Sequence, residues 1–141
     1  MVAFNFTVFI AKVESGEKTR TIRRKKRCNV GDKVQLYTRM MHKDCRKLRD
    51  GICTNVQKVT LYPEHMYLDE LLMIESADEF ARLDGFNDYE HMVAWFTDTY
   101  PDEPWPLVCH LHEWDLLPKG EETAPVKRHP RPRRYPKKKK A

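Results

Sequence analysis

Gly16-Glu17-Lys18-Thr19-Arg20-Thr21-Ile22-Arg23 is followed six residues later by Val30-Gly31-Asp32-Lys33-Val34-Gln35-Leu36-Tyr37. The first stretch reads as a charged turn and the second as a Gly-Asp turn that opens a strand. In the second, Val34, Leu36 and Thr38 alternate with Lys33, Gln35 and Tyr37, the period-2 pattern of a half-buried strand. Upstream, Phe6, Phe9, Ile10 and Val13 fall at i, i+3, i+4 and i+7. That spacing predicts one face of a short helix ending near Ser15-Gly16. A helix, a charged turn and a strand thus come in quick succession.

Downstream, the polar stretch 39–50 predicts a hairpin excursion, and Ile52 to Leu61, rich in Val and Thr, a further strand. Ser76-Ala77-Asp78-Glu79 has the form of a capping box, in which hydroxyl and carboxylate satisfy backbone donors at a helix start. Gly85 suits the left-handed end of that helix. Asn87 with Glu90 predicts a second start. Tyr89, Met92, Val93, Phe96 and Tyr100 form an apolar stripe stopped by Pro101. Leu107 to Trp114 alternates as a last strand. The order predicts an α+β fold, a small β-barrel with short flanking helices, over 1–118. Residues 119–141 are rich in Pro, Lys and Arg with little to bury, which predicts a disordered basic tail.

The net charge of +5 hides a segregation. The tail carries 10 basic and 2 acidic side chains, residues 1–58 carry 15 and 5, and residues 59–118 carry 1 and 14. Such blocks speak about partners, not fold. No apolar run approaches the ~18 residues of a membrane span, and the N-terminus lacks the basic region of a signal peptide. The expectation is a cytoplasmic protein that makes no membrane contact.

Cysteines at 28, 45, 53 and 109 form no CxxC pair. The potential ligands His42, Cys45, His110 and His112 are scattered, whereas structural zinc draws on closely paired ones. The expectation is reduced, idle thiols, no metal and no cofactor.

Three segments in order resemble the ASCH family (activating-signal-cointegrator homology) of the PUA-like superfamily. Gly16 to Arg23 is similar to its G-x-K-x-x-T-I-R signature, and Val30 to Tyr37 to its V-G-D turn. Ala81-Arg82-Leu83-Asp84-Gly85-Phe86, with Trp95-Phe96-Thr97-Asp98-Thr99-Tyr100-Pro101, is similar to its acidic corner and following helix. The resemblance covers most of 1–115 and implies a PUA-like barrel with a cleft between the first motif and the corner. Members bind RNA or nucleic-acid components, and some hydrolyse N4-acetylcytidine. The catalytic set of those amidohydrolases maps onto Lys18, Thr21 and Asp84, where Asp replaces the usual Glu and is one methylene shorter.

Such chemistry needs the Thr21 hydroxyl activated by a base, and a Lys serves only if its pKa falls below the usual ~10.4. The resemblance implies a ligand site of Lys18, Thr21, Arg23 and Asp84. The alternating strand adds Tyr37, and Tyr37 and Trp105 are candidates for base stacking. Arg24, Lys25, Lys26 and Arg27, with Arg131, Arg133, Arg134, Lys137, Lys138, Lys139 and Lys140 of the tail, are candidates for phosphate contact. The expected partner is RNA, single-stranded nucleic acid or a modified nucleoside. Two alternatives stand beside it: an N4-acetylcytidine-type amidohydrolase, and a non-enzymatic protein that binds through its tail.

Overall fold

The computed structural model describes residues 2–73 and 76–118, so the tail and its basic residues lie outside the described residues. The order is β1 (Val2–Phe6), α1 (Ile10–Ser15), β2 (Arg20–Arg23), β3 (Lys33–Thr38), β4 (Arg46–Leu61), β5 (Met66–Leu68), β6 (Leu71–Leu72), α2 (Ala77–Leu83), α3 (Tyr89–Thr99) and β7 (Leu107–Leu116). It is an α+β fold with three helices, and its mixed sheet curls through 209° as an open half-barrel. No helix among the described residues is long and apolar enough to cross a membrane.

The 16-residue β4 organises the sheet. Its first part pairs with β3, Gly51 to Leu61 pairs with β7, and its end pairs with β5. Gly51 leaves no room for a side chain against β7: a Cβ there would lie 2.8 Å from the Asp115 carbonyl oxygen and 3.2 Å from Trp114 Cδ1. β7 passes on to β2 in antiparallel register, with Thr21 opposite His112.

Two departures from the sequence reading shape the site. The helix predicted from Phe6 starts only at Ile10, and Val2–Phe6 is instead a strand parallel to β3. Phe4 and Phe6 turn into the half-barrel, so a period-2 strand and a one-and-a-half-turn helix together imitate one helical stripe. Likewise Arg20–Arg23 is a strand, not a turn. β3 was expected to be half-buried, but Gln35 and Tyr37 are buried as well as Val34 and Leu36, so both faces of this strand are covered.

β7 divides two cores. Leu107, Cys109 and Leu111 pack with Phe80, Met92 and Phe96 of the helices. Trp114 faces the other way, with Phe4, Phe6, Val13 and Leu36 inside the curl. The stripe of α3 is as expected, with Tyr89, Met92 and Phe96 buried. Its cap is Asp88 rather than Asn87: the Asp88 carboxylate accepts from the His91 N–H at 2.8 Å. Ser76 caps α2 by position only, since its hydroxyl makes no capping bond and Glu79 pairs with Arg82 at 3.3 Å.

Candidate functional site

Lys18 and Asp84 lie 66 positions apart, and each is delivered by a helix end. Gly16, at φ +90, ends α1 and sends its N–H to the Val13 carbonyl at 3.2 Å. The chain then folds back so that the Lys18 N–H reaches the Lys12 carbonyl at 2.9 Å. Asp84 closes α2. The N–H of Gly85 bonds the Arg82 carbonyl at 3.0 Å and that of Phe86 bonds the Ala81 carbonyl at 3.0 Å, a paired C-terminal closure that requires the left-handed glycine.

The Lys18 ammonium meets that helix end twice. It donates to the Asp84 main-chain carbonyl at 2.5 Å and stands 3.0 Å from Asp84 Oδ1. Lys12 donates to the Gly85 carbonyl at 3.2 Å, so two cations face the negative end of α2. Both members of the Lys18–Asp84 pair are buried. Burial pushes the Lys18 pKa down and the Asp84 pKa up, and their mutual attraction opposes both shifts. Asp84 Oδ1 has no aligned hydrogen-bond donor. The close contact is therefore an ion pair rather than a well-aligned hydrogen bond.

Thr21 and Arg23 form the adjoining wall. Arg23 Nε donates to the Thr21 hydroxyl at 3.1 Å and Nη2 to the Asn5 carbonyl at 2.9 Å. Its guanidinium lies 5.2 Å and 5.1 Å from the rings of Phe4 and Phe6. Burial, reinforced by the nearby Arg27 charge, lowers the Arg23 pKa to about 10. Arg27 repeats the device, donating through Nη2 to the Ala3 carbonyl at 3.1 Å beside Phe4. β1 and β2 are not partners in the sheet, so these two arginines bridge the open seam of the half-barrel with side-chain bonds.

Lys18, Thr21, Arg23 and Asp84 thus line one cavity of about 90 Å³, together with Asn5, Phe9, Phe86, Trp95 and Tyr100. Phe9 adopts φ +60, and its ring lies 5.5 Å from both the Lys12 and Lys18 ammonium groups and edge-on to Phe86. The aromatic wall is what the sequence reading missed. Trp95 lies off the buried stripe of α3, the one signal that could have marked it. Phe9 and Tyr100 were assigned to packing faces, and nothing local distinguishes them.

Other candidates sit elsewhere. Tyr37, expected in the site, is buried in the sheet with its hydroxyl donating to Gln35 Oε1 at 3.1 Å, and it does not border the cavity. Trp105 packs partly buried against the helical core. Arg24 pairs with Glu103 at 2.5 Å and bonds the Val108 carbonyl. Lys25 and Lys26 are exposed. Cys28, Cys53 and Cys109 are buried free thiols and Cys45 is partly exposed, with burial raising the Cys28 and Cys109 pKa values to about 12. Among the described residues, no group of three or more His, Cys, Asp or Glu side chains is placed to hold a metal ion. Comparisons of the chain with protein-family models, with curated proteins and with solved structures find no match.

Proposed function

We propose that the cleft between β2 and the C-terminal end of α2 binds a nucleobase, presented by RNA, by single-stranded nucleic acid or as a modified nucleoside, in an ASCH-like, PUA-like half-barrel. The observation that carries this reading is the convergence of Lys18, Thr21, Arg23 and Asp84 on a cavity walled by Phe9, Phe86, Trp95 and Tyr100. Aromatic walls supply stacking, which is tolerant of sequence. The Asp84 carboxylate is suited to accept from an exocyclic amine, as acidic side chains do from cytosine N4. Titration of cytidine, N4-acetylcytidine and a short single-stranded RNA against the full chain tests the reading. Binding is expected to be lost in Lys18→Met and Trp95→Ala. Unchanged affinity in both variants rules the cleft out.

A second reading, amide hydrolysis of an N4-acylated cytidine, draws on the burial of Lys18, which lowers its pKa toward that of a usable base. Thr21 would be the nucleophile and Asp84 the proton carrier to the leaving amine. The Thr21 hydroxyl bonds Arg23 and not Lys18, so the substrate must draw the base and nucleophile together. Release of cytidine from N4-acetylcytidine, abolished by Thr21→Ala, decides between binding and turnover.

A further inference from the structure

A second cavity, about 210 Å³, lies between α2, β5 and β7 and is bordered by Arg20 rather than by Thr21 or Arg23. Its walls are largely apolar, with Leu68, Met73, Phe80 and Leu83 among them. Arg20 is only 7% exposed, and its Nε and Nη2 have no hydrogen-bond partner among the described residues. Its guanidinium lies 4.2 Å from the Phe80 ring centroid, and Nη1 is 3.6 Å from Glu113 Oε2, beyond hydrogen-bond reach. Arg23, three positions along the same strand, spends its donors on Thr21 and Asn5. Arg20 is the buried arginine whose donor edge is unused.

The unmet edge specifies a ligand. Nε and Nη2 of one guanidinium present two parallel donors, which match two adjacent acceptors. A carboxylate or phosphate would fit that fork, but Glu113 already balances the Arg20 charge and Glu79 also borders the cavity. A further anion would add uncompensated charge to a largely apolar site. A neutral group with two adjacent acceptors avoids that cost. Glu113 Oε1 accepts from Asn55 Nδ2 at 2.8 Å, which leaves Oε2 able to accept from a donor beside those acceptors. Two acceptors flanked by a donor, on a flat body with apolar faces, describe the O6, N7 and N1–H groups of guanine.

We propose that this cavity is a binding site for a guanine-type base. Arg20 donates to O6 and N7, Glu113 accepts from N1–H, and the base packs against Phe80 and Met73. Both orphan nitrogens are shielded from solvent, so this binding mode requires the guanidinium to swing off Phe80 into the cavity it borders. The inference does not depend on the reading of the cleft.

Isothermal titration of the full chain with guanosine and adenosine tests it. Adenosine carries a donor where guanosine carries O6, so it is expected to bind about 10-fold to 100-fold more weakly. Arg20→Met is expected to remove guanosine binding, and Met73→Trp, which fills the cavity from another side, to do the same in a chain that keeps Arg20. Circular dichroism establishes that each variant is folded. Equal affinity for the two nucleosides overturns the proposal, as does guanosine affinity that survives both variants. Guanosine binding lost in Lys18→Met but kept in Arg20→Met would place the ligand in the cleft and overturn it too.

Discussion

The ammonium of Lys18 bonds the main-chain carbonyl of Asp84 at 2.5 Å while standing 3.0 Å from the carboxylate of the same residue. One lysine thus closes a helix end and neutralises the acid beside it, with both side chains more than nine-tenths buried. Removing one partner of such a pair leaves the other as an uncompensated buried charge, which costs about 3–5 kcal/mol. Lys18→Met is therefore expected to destabilise the chain by that amount. Lys18→Met combined with Asp84→Leu should recover most of the loss, since the buried charge is gone from both sides. Urea midpoints across the double-mutant cycle measure the coupling, and strictly additive losses would mean that the two residues act independently.

How much of this was legible in the sequence depends on range. The stripe of α3 and the Gly85 helix end are local patterns, and the structure shows both as read. β7 is a strand as expected, but its alternation holds only from Leu107 to Leu111, since His112 and Trp114 are buried on the opposite face. The convergence of Lys18, Thr21 and Asp84 was expected from the resemblance, not from their spacing. What could not be read was anything set by strands distant in sequence. β1 escaped because Phe4 and Phe6 alternate for only a few residues before Phe9 and Ile10 continue a helix-like spacing. Tyr37 falls on the face opposite Val34 and Leu36, and its burial there is set by tertiary packing that strand periodicity does not report. The basic segment 23–27 looked like one phosphate-binding run, yet Arg23, Arg24 and Arg27 are engaged by main-chain carbonyls and Glu103.

Gly85 combines two constraints that can be separated. At φ +112 any side chain is strained, and a Cβ there would lie 2.9 Å from Phe9 Cδ2 and Cγ. Gly31 has a similar φ of +96 but nothing within 4 Å. Gly31→Ala is expected to cost about 1 kcal/mol from backbone strain alone, and Gly85→Ala about 2–4 kcal/mol because Phe9 must also move. The two denaturation curves check this. Gly85→Ala should additionally weaken ligand binding in the cleft, since Phe9 is part of its wall.

His112 confers a pH dependence of known sign. It is fully buried opposite Thr21, and its Nε2 accepts from the Arg27 main-chain N–H at 2.9 Å. Burial lowers its pKa from 6.5 to about 4. Above pH 6.5 the ring is neutral in both folded and unfolded chains, so it makes stability no function of pH. Between about 6.5 and about 4 the unfolded chain takes up a proton that the folded chain refuses, and stability falls as pH falls. The loss levels off near pH 4 at about 3 kcal/mol. His112→Leu should flatten this segment of the stability–pH curve while lowering stability at pH 7, where the Arg27 N–H loses its acceptor. A curve equally steep in the variant would assign the acid loss to other groups.

The two kinds of basic residue near the cleft separate by salt. Arg23 and Arg27 bridge β2 and the loop after it to β1 carbonyls, whereas Lys25 and Lys26 are exposed beside them. If single-stranded RNA lies along this edge, Lys25→Ala with Lys26→Ala should leave the denaturation midpoint unchanged. It should reduce the slope of log affinity against log salt by about 1.4, near 0.7 for each phosphate contact on a single strand. Arg23→Ala should instead lower the midpoint, because it frees the Asn5 carbonyl and leaves Arg27 alone to bridge the seam. Deleting 119–141, with its 10 basic residues, should flatten the salt slope further than the lysine pair does. Affinity measured from 50 to 300 mM salt resolves these cases. A slope untouched by both the lysine pair and the deletion would show that this edge and the tail make no phosphate contacts, leaving the cleft to bind free nucleosides.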